Sequence, residues 1–93
     1  MINIDQRTPG EIGLAIARRV RARRKERGLT QEQMSRKSGM SLASYKRFEQ
    51  KGLVALDSLI RISIALDCED DFDELFAERG YASIEEVIHG KGR

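Results

Sequence analysis

The chain has 93 residues, of which 40% are apolar and 34% charged, with a formal net charge of +2 at pH 7. That size fits one domain whose core needs neither disulfides nor a metal to hold it. No apolar run approaches the roughly 18–20 residues of a membrane span, and the N-terminal MINIDQR lacks an apolar signal core, so a cytoplasmic protein is expected. Thr8-Pro9-Gly10-Glu11 opens the first predicted helix with a hydroxyl N-cap, proline at the first helical position and Glu at the third. Ile12, Ile16 and Val20 then recur every fourth residue, which predicts one buried stripe, with Arg18, Arg21 and Lys25 on wetter faces. Gly28 is placed to end this helix in a left-handed cap.

Thr30 begins the second helix with Gln33 as its reciprocal capping partner, Met34 faces inward, and Gly39 ends it. Ser41 caps the third helix, whose large inward residues are Tyr45 and Phe48, and Gly52 closes it. The fourth helix, roughly Leu56 to Leu66, is apolar on all but a narrow strip that includes Arg61. Such a pattern predicts a helix surrounded by helices one and three and a second chain. Its start is weak, because Ala55 is a poor cap and Asp57 contributes only a favourable charge. Glu69-Asp70-Asp71 is read as the start of a short fifth helix with Phe72, Leu75 and Phe76 on one side. After Gly80, Ser83-Ile84-Glu85-Glu86 is a further capping box leading to Val87 and Ile88. Strand signals are nearly absent.

Charge is divided along the chain. Residues 1–53 hold 13 Lys/Arg and 5 Asp/Glu, a net +8, whereas residues 54–93 hold 4 and 10, a net −6. A basic half attracts a polyanion and an acidic half is better placed facing away from it. The basic half contains Leu29 to Glu49, LTQEQMSRKSGMSLASYKRFE, in which two short helices flank a turn at Gly39. The second of these helices starts on small polar residues and has a basic face behind them. That arrangement suits a helix end entering a DNA major groove.

This stretch resembles the helix-turn-helix of the Xre/lambda-repressor (Cro-type) family, and the likeness extends over roughly residues 12–76. The matching features are GLTQEQM before the turn, Gly39 in it, the small polar start of the next helix, and Phe48-Glu49 at its end. The resemblance implies an all-α, five-helix lambda-repressor-like DNA-binding domain with a short extra C-terminal helix. The helix-turn-helix domain would span residues 8–79, its motif residues 30–50, and a C-terminal extension residues 80–93.

The implied DNA-binding residues are Thr30, Gln31, Ser41, Leu42, Ala43, Ser44, Lys46 and Arg47. Gln31 would bond a phosphate, in keeping with the free donors and partial positive charge at a helix N-terminus. Ser41, Leu42, Ala43 and Arg47 fall on recognition positions, with Ser44 and Lys46 closer to the backbone. Arg47 can bond guanine O6 and N7 together, and Leu42 and Ala43 can pack on thymine methyl groups. Relatives carry glutamines at the places of Leu42 and Ala43, so base reading here would be more apolar and would lean more on DNA shape. Arg24 and Glu49 occupy positions of a structural salt bridge, and Tyr45 and Phe48 positions of the core. Ser35 stands where the family has alanine, small enough for close helix packing and able to bond back to the preceding turn.

The resemblance further implies a homodimer that sets two recognition helices about 34 Å apart on palindromic double-stranded DNA. The spare apolar residues Phe72, Leu75, Phe76, Tyr81, Ile84, Val87 and Ile88 are candidates for its interface. DDFDELF and YASIEEVI also resemble regulators of Hip-type toxin–antitoxin pairs, which would add a kinase-like toxin as partner. A protein–protein adaptor of the same fold is the alternative class, although it has no physical need for a basic face around Gln31, Lys46 and Arg47. An enzyme is not expected. Cys68 and His89 each stand alone, and no nucleophile–base pair, phosphate loop, metal-ligand cluster or cofactor motif is present.

Overall fold

The computed structural model describes residues 7–78. Among them the chain forms four α-helices, α1 (Pro9–Glu26), α2 (Gln31–Ser38), α3 (Leu42–Lys51) and α4 (Leu56–Ala65), followed by a single 3-10 turn at Glu69–Asp73. The described residues contain no strand. No helix among them is long and apolar enough to cross a membrane. The extension at residues 80–93, with its Ser83–Glu86 capping box, and His89 lie outside the described residues.

Three of the four helices start where local chemistry directs. Thr8 and Glu11 form a complete capping box, as do Thr30 and Gln33, and the Ser41 hydroxyl accepts from the Ser44 N–H at 3.0 Å. Each such cap satisfies a donor that the helix cannot, a contribution of about 1 kcal/mol. The turn between α2 and α3 depends on Gly39, which sits at φ +70°, a region where a Cβ is strained. Ala55 makes no side-chain cap bond to α4, in line with its sequence.

The core is Ala17, Met34, Tyr45, Phe48, Ile62 and Leu66. Helix α1 packs mainly on α3, α2 on both α3 and α4, and the 3-10 turn on α4. Ser35 and Ser38 are buried, and each hydroxyl donates to a carbonyl of the preceding turn, Ser35 to Glu32 at 2.7 Å and Ser38 to Met34 at 2.9 Å. The serine departure at position 35 therefore leaves no orphaned polar atom.

The buried face of α1 is rotated by one position from the expected stripe. Ile12 is 41% exposed, and Ile16 and Val20 are only partly buried, whereas Ala17 is fully buried and Arg24 nearly so. The reason is the closeness of the crossing. A Cβ added at Gly13 would lie 2.7 Å from the Gly52 carbonyl oxygen, and one added at Gly52 would lie 2.5 Å from the Gly13 carbonyl carbon. Only residues without bulk fit on that line, so Gly13 and Ala17 take the inner face. Ile16 and Val20 turn aside and help line an open groove of about 320 Å³, together with Leu59, Ile62, Leu66 and Phe72.

Two further expectations are corrected. Helix α4 is not surrounded: Leu56 is 62% and Ile64 53% exposed, and although Ile62 joins Ala17 of α1 and Tyr45 and Phe48 of α3 in the core, the elements closest to α4 are α2 and the 3-10 turn. Leu59, Ile62 and Leu66, which reach the core together with Ala65, recur at helical spacing along one side of it. The fifth helix is a 3-10 turn. Three of its five residues are Asp, a poor helix former, Cys68 provides no cap bond, and Phe76 adopts φ +61° just beyond. Phe72 is half-buried, while Leu75 is 53% and Phe76 94% exposed. Cys68 is half-buried and packs against the core.

Candidate nucleic-acid interface

Helix α3 has two faces with different chemistry. Tyr45 and Phe48 are fully buried, their rings meeting edge to face with centroids 6.1 Å apart, and they anchor the helix. On the outer side Ala43, Ser44, Lys46, Arg47, Gln50 and Lys51 are exposed. Lys46 and Arg47 enter no ion pair or side-chain hydrogen bond among the described residues. Ala43, Lys46, Arg47 and Gln50 follow i, i+3, i+4, i+7 spacing and so share one stripe. Gln50 is absent from the expected site, although this spacing from Ala43 and Lys46 could have revealed it.

The tip of α3 is exposed at Ser41, whose hydroxyl oxygen is engaged as the cap while its hydrogen remains available to donate. Leu42 is half-buried, so part of its side chain serves the protein and part faces out. At the start of α2 Thr30 is exposed and committed to its capping box with Gln33, at 2.8 and 3.0 Å.

Beneath these surfaces lies a buried polar cluster centred on Glu49. Arg24 bonds it twice, Nε to Oε2 at 2.7 Å and Nη2 to Oε1 at 3.1 Å, with the Arg24 and Glu49 side chains only 9% and 3% exposed. The expected Arg24–Glu49 pair is therefore present, as a planar fork on a carboxylate. The third Arg24 nitrogen donates to the Leu29 carbonyl at 2.8 Å, which pins the loop before α2. The Tyr45 hydroxyl also donates to Glu49 Oε2. Burial alone would raise the Glu49 carboxyl, but the hydrogen bonds from Arg24, Tyr45 and Gln31 outweigh it and hold the group below the ordinary carboxylate range. Burial, then the bond to Glu49, pushes the Tyr45 hydroxyl up. The hydrogen bond to Glu49 raises Arg24 still further, so the pair is fully ionised at neutral pH.

Gln31 belongs to this cluster. Its Nε2 donates to Glu49 Oε1 at 3.0 Å, and the residue is half-buried. The sequence reading places Gln31 at the surface and does not foresee this bond across 18 positions of sequence. A primary amide carries two hydrogens, so one N–H is held by Glu49 and the other has no acceptor among the described residues. Arg21 stands on the open side of the same carboxylate, Nε at 4.0 Å from Oε1, with its side chain 56% exposed.

A family model described as helix-turn-helix matches residues 20–72, more than half of the chain and spanning this whole constellation. The protein belongs to the Xre/lambda-repressor-type helix-turn-helix family. That family is one of DNA-binding regulators, and double-stranded DNA is the partner it points to. Among curated proteins none matches the chain.

Proposed function

We propose that this protein is a sequence-specific transcriptional regulator, a repressor, that reads the major groove with α3 as a homodimer on a palindromic operator. The observation that carries the reading is the outward stripe of α3: Lys46 and Arg47 lie in the open with no partner among the described residues, on a helix fastened from behind by Tyr45 and Phe48. A rigid support with unspent donors on its free side is the chemistry needed to meet base edges.

In this reading Arg47 bonds a guanine, Ala43 and the outer part of Leu42 meet thymine methyl groups, and Gln50 continues the contact along the stripe. Ser41 reaches a base edge from the helix tip, while Ser44, Lys46, Thr30 and Gln31 approach the backbone, Gln31 through the amide hydrogen that Glu49 does not take. The homodimer is supported by apolar side chains left in water, Leu56, Ile64, Leu75 and Phe76. The segment whose resemblance would bring in a kinase-like toxin lies in part outside the described residues, and nothing further favours that partner.

In vitro selection of bound duplexes from a random pool tests the reading. The expected product is a short inverted repeat, with half-sites about one helical turn apart. Recovery of no enriched sequence, together with no duplex binding at low salt, would hand the basic surface to a protein partner instead.

A further inference from the structure

We propose that Arg21 and Gln31 together hold a single DNA backbone phosphate at the seam between α1 and the start of α2, with Glu49 as the residue that positions them. The proposal rests on the helix-turn-helix reading above. It adds a residue that lies outside the motif, one turn before Arg24.

Both side chains converge on one atom. Gln31 Nε2 is 3.0 Å and Arg21 Nε 4.0 Å from Glu49 Oε1, so the two nitrogens are at most 7.0 Å apart. A phosphate accepting bonds of about 2.8–3.0 Å through two of its oxygens spans such a gap.

Among the described residues Arg21 meets only Glu49, at the limit of ion-pair distance. Glu49 is already neutralised by the Arg24 fork at 2.7 and 3.1 Å and takes further bonds from Tyr45 and Gln31. At 4.0 Å Arg21 is outside hydrogen-bonding distance of the carboxylate, and its side chain is 56% exposed. The nearest acid on the first turn of α2, Glu32, is turned toward Arg36 at 3.6 Å. Counting Arg21, Arg24 and Glu49 together, one positive charge remains, and it faces solvent. The first-turn N–H groups of α2 add donors on the same side, since no helical carbonyl can reach them.

Glu49 gives the site its precision. By fixing one amide hydrogen of Gln31 it sets the direction of the other, and by its residual attraction it keeps the long Arg21 side chain over the seam. Arginine suits this place better than lysine, because a planar fork can face a phosphate while one edge remains toward the carboxylate.

The test is a salt titration of binding, using a random-sequence duplex of about 20 base pairs, two helical turns, beside the selected operator. Arg21→Gln removes the charge from an exposed position. Expected is a loss of roughly eightfold per protomer at about 0.1 M salt, the effect of one counterion at a slope of about 0.9, equal on both duplexes. The logarithmic salt slope should fall by about 0.9 per protomer. Combined with Gln31→Ala, the loss should be smaller than the product of the two single losses, because both act on one phosphate. An unchanged slope in Arg21→Gln, or strictly multiplicative losses, would overturn the shared site while leaving the helix-turn-helix reading intact. Failure of the unaltered protein to bind either duplex would remove the reading on which the site depends.

Discussion

Around α1 and α3, two glycines bring the helices into backbone contact, and a carboxylate 3% exposed accepts four hydrogen bonds. Around α4 and the 3-10 turn there is no side-chain cap, Leu56 and Ile64 are more than half exposed, and Phe76 stands almost wholly in water. The first region has its buried polar groups paired and its crossing closed; the second keeps more apolar surface uncovered. A protein that must present a helix to a duplex needs rigidity where the helix is held. A protein that acts as a pair needs unsatisfied apolar surface elsewhere. The difference between the two regions is the division of labour that the proposed dimeric regulator would require.

The strongest way to break this contrast is to unpair the buried cluster. Arg24→Ala should cost about 3–5 kcal/mol in denaturant unfolding, because it strands the Glu49 charge, and replacing both partners with apolar residues should cost less. The same carboxylate sets an acid limit. Its folded pKa is lowered, so its contribution to stability is complete above the unfolded value of about 4.3 and is lost as pH falls through the folded value. Unfolding followed across acid pH should therefore show a steeper loss in the parent than in Glu49→Gln.

Next in size is Gly13→Ala. The added methyl would meet the Gly52 backbone, which has no rotamer to give, and about 1–3 kcal/mol of stability should be lost. The same substitution in an open helix would stabilise it, so the sign of the change tests the close crossing directly. The smallest effects belong to the uncovered region. Leu56→Ser and Phe76→Ser should alter monomer stability by no more than about 0.5 kcal/mol. They should nevertheless weaken self-association measured by sedimentation, and an unaltered association constant would move the subunit interface elsewhere.

Much of the first region was legible in the sequence, and the reason is locality. Thr8 with Glu11, Thr30 with Gln33, and Ser41 form their caps within three residues, so the chain alone specifies where α1, α2 and α3 begin. Tyr45, Phe48 and Met34 were readable as core from helical spacing. The inner face of α1 was not, because a periodicity argument prefers Ile12, Ile16 and Val20 on size, and nothing local says that α3 approaches too closely for them. The bond from Gln31 to Glu49 and the approach of Arg21 to the same oxygen were hidden for a similar reason, since each depends on how three helices meet. The fifth helix failed on energetics. Its acidic start was a true helix-start signal, but five residues rich in Asp with no cap hydrogen bond cannot sustain an α-helix.

The claim on which the account turns is that the outer stripe of α3 reads bases while the start of α2 reads only the backbone. Affinities of the Arg47→Ala and Gln31→Ala variants for the selected operator and for an unrelated duplex, at matched salt, test it most directly. Arg47→Ala should narrow the gap between the two duplexes by about 1–3 kcal/mol, and Gln31→Ala should weaken both equally and leave the gap unchanged. A gap untouched by loss of Arg47 would contradict the account.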